Sequence, residues 1–365
     1  MQRSNMGILG IGVHLPPGIR TNDWWAPVVV ERWRQRQGGS FASAGGLVTD
    51  SSQTQLPPGG KQVLDAILAE RDDVFQGTRE RRVAADGVLA SDMETDAARA
   101  AFADAGVEAC EIDFVLSYST CPDFLMAPNA CAIHHKLGLN ERCLSLATEG
   151  ACNSFLMQLA LAEQLIAGGR FKRGLLVQSS ICSRLVPPEQ PSSTMLGDAA
   201  TAMVVGPVAT GYGLLGQSHA TNGEHFNALA VGVPGKRWYE EGRNVFYAAD
   251  KEVARRLILN VADRARGAIG TALEDAGHTH SDVSFYASHQ GTSWLRAVTQ
   301  EFAGLGHARS VDTFPWAASV MGVNVPLVLA AAVREGKLRE GDLAVAFSGG
   351  LGETWSSVVI RWGRG

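Results

Sequence analysis

The chain has no marked surplus of either charge, no apolar run long enough to cross a membrane and no closely spaced pair of cysteines. Each absence removes a class of function. With 32 Lys and Arg against 37 Asp and Glu, the formal charge is −5, which offers no electrostatic case for nucleic acid or an anionic membrane. Spanning a bilayer takes about 20 consecutive apolar residues, and no stretch reaches that. The opening Met1-Gln2-Arg3-Ser4-Asn5-Met6-Gly7 leads into a short Ile/Leu/Val run without the apolar core and small-residue cleavage site of an export signal; a cytoplasmic location is expected. Six cysteines stand apart at 110, 121, 131, 143, 152 and 182. None forms a CxxC pair, so reduced thiols are expected, and the reading calls for no metal and no cofactor.

What is present is a chain of 365 residues, 45% hydrophobic, enough for a large core, and it repeats itself. Asp104-Ala105-Gly106 followed by Ile112-Asp113-Phe114-Val115 returns, at an offset of 171, as Asp275-Ala276-Gly277 followed by Val283-Ser284-Phe285-Tyr286. Each copy follows an alanine-rich helical stretch, 93–105 or 253–275, and reads as helix, glycine stop and strand. A second pair follows in the same order. Residues 151–167 are apolar and helical, stop at Gly168-Gly169 and precede Leu175-Leu176-Val177. Residues 319–335 form a similar predicted helix, stop at Gly336 and precede Leu343-Ala344-Val345. The period is too long for a solenoid unit. It implies two α/β half-molecules, 1–210 and 211–365, opening on the similar strands 7–13 and 212–217. Both central helices are apolar almost all round and should lie buried between layers. Residues 24–70, rich in Trp, Arg, Gly, Ser, Gln and Pro, fall outside the repeat. They read as an insertion near a site entrance, partly helical around 26–37, or as a mobile linker.

Cys152 follows Glu149-Gly150-Ala151 and opens the first buried helix. The positive end of a helix and its free N–H groups are expected to lower a thiol pKa and to hold an oxyanion; the alternative is a cysteine that merely packs. His289 ends the strand 284–288. If the two halves are pseudo-symmetric, strand ends and helix starts converge and bring His289 to Cys152, the arrangement nucleophilic catalysis needs. The run Ser348-Gly349-Gly350-Leu351-Gly352 lets backbone approach a ligand closely, or is an ordinary tight turn.

Five segments in register, Thr78-Arg79-Glu80-Arg81-Arg82, Glu149-Gly150-Ala151-Cys152-Asn153, Leu196-Gly197-Asp198-Ala199-Ala200, Ser288-His289-Gln290 and Phe347-Ser348-Gly349-Gly350, resemble the ketoacyl-ACP synthase III branch of the thiolase superfamily. The resemblance covers the first strand and about residue 74 to the end. It implies a duplicated α/β fold of five αβαβα layers, a homodimer and ping-pong acyl transfer. Cys152 would carry the acyl thioester, and His289 would be the catalytic histidine. The N–H groups of Cys152 and Gly350, or Gly349, would form the oxyanion hole.

Three departures shape the expected function. The family's asparagine, seven positions before the proline of a Ser-Val-Pro run, falls at Ser319. Asn324, in Asn324-Val325-Pro326, lies more than a helical turn deeper and is taken as a pocket residue. Serine stabilises an enolate more weakly than asparagine. Transfer of the acyl group to a hydroxyl or amine of a small-molecule acceptor in secondary metabolism is therefore expected ahead of decarboxylative condensation with a malonyl thioester. A partner protein without turnover is the third reading. The positions that grip coenzyme A in the family fall near Arg71 and Phe75, which favours an acyl carrier protein over acyl-CoA as donor. The aromatic gate lent by the neighbouring subunit falls at Ala127, implying a roomier acyl pocket. Trp294 and Arg296 are either entrance and carrier contacts or plain surface residues.

Overall fold

A computed structural model describes residues 5–35 and 56–365. The chain runs β1 (Met6–His14), β2 (Gly18–Thr21), α1 (Pro27–Gln35), α2 (Gly60–Ala69), β3 (Glu80–Val83), α3 (Ala90–Ala105), β4 (Phe114–Ser119) and α4 (Asn129–Leu137). It continues through β5 (Leu144–Ala147), α5 (Ser154–Ala167), β6 (Gly174–Ile181), β7 (Asp198–Pro207), β8 (Gly213–Thr221), β9 (Leu229–Gly232) and β10 (Val245–Ala248). Then come α6 (Lys251–Leu259), α7 (Val261–Ala276), β11 (Phe285–Ser288), α8 (Leu295–Phe302), α9 (Phe314–Ala317), α10 (Asn324–Arg334), β12 (Leu343–Gly350) and β13 (Thr354–Arg361).

Strand alternation builds the layers, because successive residues of a strand face opposite ways. In the first sheet, ordered β1-β7-β6-β4-β5, Val115, Leu175 and Val177 face α3 and α4. Phe114, Leu116 and Leu176 face inward onto α5 and α10. The second sheet, β11-β12-β13-β8, turns Phe285, Ala287 and Ala346 to the same central helices and Tyr286, Val345 and Phe347 to α7. The result is helix, sheet, helix pair, sheet, helix. Packed between the two sheets, α5 and α10 carry apolar residues around most of their circumference and become exposed only in their C-terminal halves, as at Leu161 and Val333.

The repeat is visible atom by atom. The β1-β7-β6-β4 order recurs as β8-β13-β12-β11. Ile11 donates its N–H to Asp104 Oδ2 at 2.9 Å, and Gln217 does the same to Asp275 Oδ2 at 2.9 Å. Beside each, a glycine lies so close to the next helix that no side chain fits: Gly10 against Ala101 and Ala105, Gly216 against Ala272 and Ala276.

Two expectations shift. The helical stretch 253–275 is two helices, broken at Asn260, whose side chain donates to the Arg256 carbonyl at 2.7 Å. The helix expected from 319 begins only at Asn324, after a short tight turn at Met321–Val323. Ala318 and Met321, at φ 56° and 52°, cannot sit in a right-handed helix, and Ser319 instead bridges to Leu196 as extended backbone. Within 24–70, the part 36–55 lies outside the described residues. α1 fits the expected helix at 26–37 as far as Gln35 and buries Trp33, whose ring packs edge-on to Trp25. α2 packs Val63, Leu64 and Ile67 onto Leu259 and Ala262.

Candidate active site

Cys152 lies in the three-residue turn Ala151–Asn153 that feeds α5. Ala151 adopts φ 48°, a left-handed corner that lets the chain enter the helix abruptly. Glu149 Oε1 accepts the Ala151 N–H at 2.8 Å, and the Cys152 carbonyl accepts from Ser348 Oγ at 2.8 Å. From the other half, the matching turn Met321–Val323 meets this one, with Met321 Sδ 3.7 Å from Cys152 Sγ. Gly350 closes the third side. A Cβ there would stand 2.2 Å from the Gly150 oxygen, so only glycine lets β12 approach the nucleophile turn so closely.

Cys152, His289, Ser319, Gly349, Gly350 and Trp294 all line one cavity of about 200 Å³. Its walls are mainly apolar, with Leu196, Leu229, Phe246, Ile258 and Val261 among them. Ile67 of α2 and Glu70, which follows that helix, reach the wall.

His289 is half-buried at the cavity wall, and desolvation lowers its pKa to about 4, opposed by the Met321 backbone. It is neutral at pH 7. Its Nδ1 lies 2.9 Å from Asn324 Nδ2. The Val320 N–H donates to Asn324 Oδ1 at 3.3 Å, which orients the amide so that Nδ2 points at the imidazole. Asn324 therefore donates, Nδ1 accepts, and the proton of His289 sits on Nε2. This corrects the expected place of Asn324: it is fully buried, off the cavity wall, and holds the histidine from behind. Ser319 Oγ lies 3.4 Å from the same amide nitrogen and keeps its place on the cavity wall.

The thiol departs from expectation as well. Helix-start N–H groups should lower its pKa, yet burial, with the nearby Glu149 carboxylate second, pushes it up to about 12. Its own N–H opposes the rise but is outweighed, because a residue only 7% exposed gives a thiolate little solvation. Alkylation of Cys152 by iodoacetamide should accordingly rise about tenfold per pH unit from pH 7 to 10 without a plateau, and show no step between pH 5 and 8 from His289. Intact-protein mass against time checks this; a plateau near pH 8 would contradict the buried thiol.

Two of the five sequence segments serve architecture. Arg81 is buried, lies 4.7 Å over the Trp25 ring and donates to the Thr194 carbonyl from Nε at 2.9 Å. Asp198 accepts from Ala84 N–H and from Ser183. Arg81 thereby holds Thr194, next to the Met195 and Leu196 that border the cavity, while Asp198 ties the start of β7 to the segments at Ala84 and Ser183. Arg296 is committed to Asp312 through Nε and Nη2. Ala127 is exposed, with φ 73°, on a loop that does not reach this chain's cavity. Sequence reasoning missed Met321, Arg264, Glu70 and Glu353 on the cavity wall. Only Glu353 left a signal, as a carboxylate inside a glycine-rich turn.

The layered repeat and the convergence of a cysteine turn with a histidine strand end define a thiolase-like enzyme. The family model for 3-oxoacyl-[acyl-carrier-protein] synthase III matches residues 147–223, and that for its C-terminal part matches 273–362. β-Ketoacyl-[acyl-carrier-protein] synthase III of Thiobacillus denitrificans is 30% identical over 294 residues, covering 78% of this chain and 88% of that one. The Geobacillus kaustophilus protein of the same name is 30% identical over 296 residues, with 79% and 88% covered. The crystal structure of 3-oxoacyl-(acyl carrier protein) synthase III from Pseudomonas aeruginosa superposes with a TM-score of 0.77 at 24% identity, covering 99% and 98%. The chain belongs to the β-ketoacyl-[acyl-carrier-protein] synthase III family. Among the described residues no helix is long and apolar enough to cross a membrane.

Proposed function

We propose that this enzyme, built from halves 1–210 and 211–365, loads an acyl group onto Cys152 and condenses it with a malonyl thioester. The observation that carries the reading is the Asn324–His289 hydrogen bond. Attack of the Cys152 sulfur on a donor thioester forms one C–S bond and breaks another, and the cysteine proton ends on the departing thiol. The N–H groups of Cys152 and Gly350, with Gly349 next in line, would hold the oxyanion. The acyl-enzyme then meets malonyl thioester, whose bond to CO2 breaks and leaves an enolate. An Nε2–H on His289 suits that enolate oxygen; as the enolate carbon bonds to the acyl carbon the C–S bond to Cys152 breaks, and the sulfur takes one proton from solvent to return to the thiol. Asparagine thus contributes from position 324, through the imidazole, where the sequence places only Ser319.

The second reading, non-decarboxylative transfer to a hydroxyl or amine, is favoured by Ser319 standing on the wall without an amide. It needs a base, however, and the Asn324 contact turns the histidine lone pair away from the cavity. The relatives' names support the condensing reading. They also support a carrier-protein thioester as one partner, with acyl-CoA or a second carrier as donor. A homodimer is part of the proposal, supported by the exposed Phe124, Leu125 and Met126 beside Ala127 and by Leu144 and Leu146 on the edge strand β5.

Acyl-loaded enzyme mixed with malonyl carrier protein should release CO2 as fast as it consumes the acyl group. Consumption by an alcohol or amine without CO2 would establish the second reading. Asn324→Ala should slow CO2 release about 10- to 100-fold. A larger loss in Ser319→Ala than in Asn324→Ala would give the role of the family's asparagine to Ser319.

A further inference from the structure

The cavity has one cationic side chain among the described residues that line it, Arg264 on α7, and neither reaction step above uses it. Its guanidinium carbon stands over the Trp355 ring, 4.2 Å from the centroid. It makes no hydrogen bond to any described residue, and its Nε is buried without a partner. The nearest anion is Glu353 Oε1, 3.8 Å from Nε, an ion pair too long to be a hydrogen bond. Glu353 itself is buried and shares its other oxygen with His225 Nδ1 at 2.7 Å. It is anchored through its backbone, which exchanges hydrogen bonds with Asn222 at 2.8 and 3.0 Å. Glu353 thus holds the Nε side of the guanidinium at a distance and leaves the terminal Nη pair unfilled.

The Arg264 side chain is 30% exposed, so its terminal donors stay open in a mainly apolar cavity, where an incoming anion can take the place of water at a charge-assisted hydrogen bond. The geometry of two parallel N–H groups matches a carboxylate better than a lone carbonyl. We propose that Arg264 is the residue that binds a free carboxylate carried by the substrate, either at the far end of the acyl group delivered to Cys152 or on the malonyl thioester that receives it. The inference rests on the thioester reading for its setting, and Arg264 is then the residue that selects between carboxylated and plain chains.

Two kinetic arms separate the sources. In the first, wild-type enzyme is mixed with hexanoyl or adipoyl thioester and Cys152 acylation is followed by intact mass. A carboxylate on the acyl group predicts adipoyl faster by about tenfold or more, and a ratio near one in Arg264→Met. In the second, the hexanoyl-enzyme is titrated with malonyl thioester. A carboxylate on the receiving thioester predicts a KM raised about tenfold in Arg264→Met, with Arg264→Lys recovering part of it. A third measurement needs no reaction: free adipate should raise the Tm of the wild-type enzyme, and its monomethyl ester should raise it less. In Glu353→Gln, where the competing anion is removed, the adipate shift should grow. A thermal shift without any acyl adduct would support the carboxylate site and sink the thioester reading. The site is overturned if hexanoyl and adipoyl react alike, malonyl KM is unmoved in Arg264→Met, and adipate gives no shift.

Discussion

Replacing Cys152 with alanine is expected to abolish the acyl adduct and reduce turnover by about 10,000-fold or more. The sulfur lies where the α5 entrance turn, the Met321 turn and the Gly350 strand meet at the cavity. The other thiols do not lie on the cavity wall: Cys182 is buried behind it, and burial drives its pKa well up. Removing the Cys152 sulfur leaves a small void and should not unfold the chain, so Tm should fall by a few degrees at most. Mass spectrometry after mixing with an acyl thioester reads the adduct, and product formation reads the rate. An adduct of the same mass on Cys152→Ala would move the nucleophile elsewhere.

Gly350→Ala should be the second most damaging change, for a purely steric reason. The added methyl would lie 2.2 Å from the Gly150 oxygen and 3.0 Å from both Asn153 Cβ and Thr354 Oγ1. Two of the three are anchored. Gly150 and Asn153 are joined by a backbone hydrogen bond of 2.9 Å, and Asn153 is tied through Nδ2 to Ser356 at 2.9 Å. Either β12 or the nucleophile turn must retreat, at a cost of about 1–3 kcal/mol. A displacement of even 1 Å at reacting atoms lowers rates about 100-fold. Thermal denaturation and kcat measured together check the pair. Gly349→Ala, where the nearest atom is 3.9 Å away, is the matched control and should cost much less in stability.

Strand and helix identity were legible because the repeat and the apolar patterning report burial directly. The equivalence of Asp104 with Asp275 could be read from the letters and proved to be the same hydrogen bond in space. Cys152 and His289 were legible for a related reason: both sit where a regular element begins or ends, and such positions converge in a folded repeat. What escaped was set by backbone corners. Counting back from Pro326 assumes a continuous helix, but the left-handed turns at Ala318 and Met321 fold that segment over. They bring Asn324, five positions later than Ser319, onto the imidazole. The thiol pKa escaped because dipole reasoning sees the helix start and cannot see how completely the other half covers it. Arg264, Glu70 and Glu353 come from three separate segments that only tertiary packing brings to one cavity.

The paired turns also explain why the chain is lopsided. Ala151 and Met321 occupy the same corner of their respective turns, with φ 48° and 52°, and the next residue is Cys152 in one and Gly322 in the other. A side chain at Gly322 would meet the Tyr118 ring at 2.7 Å and the Ala151 oxygen at 3.1 Å. The pseudo-twofold thus has room for one thiol, not two. The absence of a side chain at Gly322 is the condition under which the two turns can touch, and it leaves the single thiol of this corner to the first half.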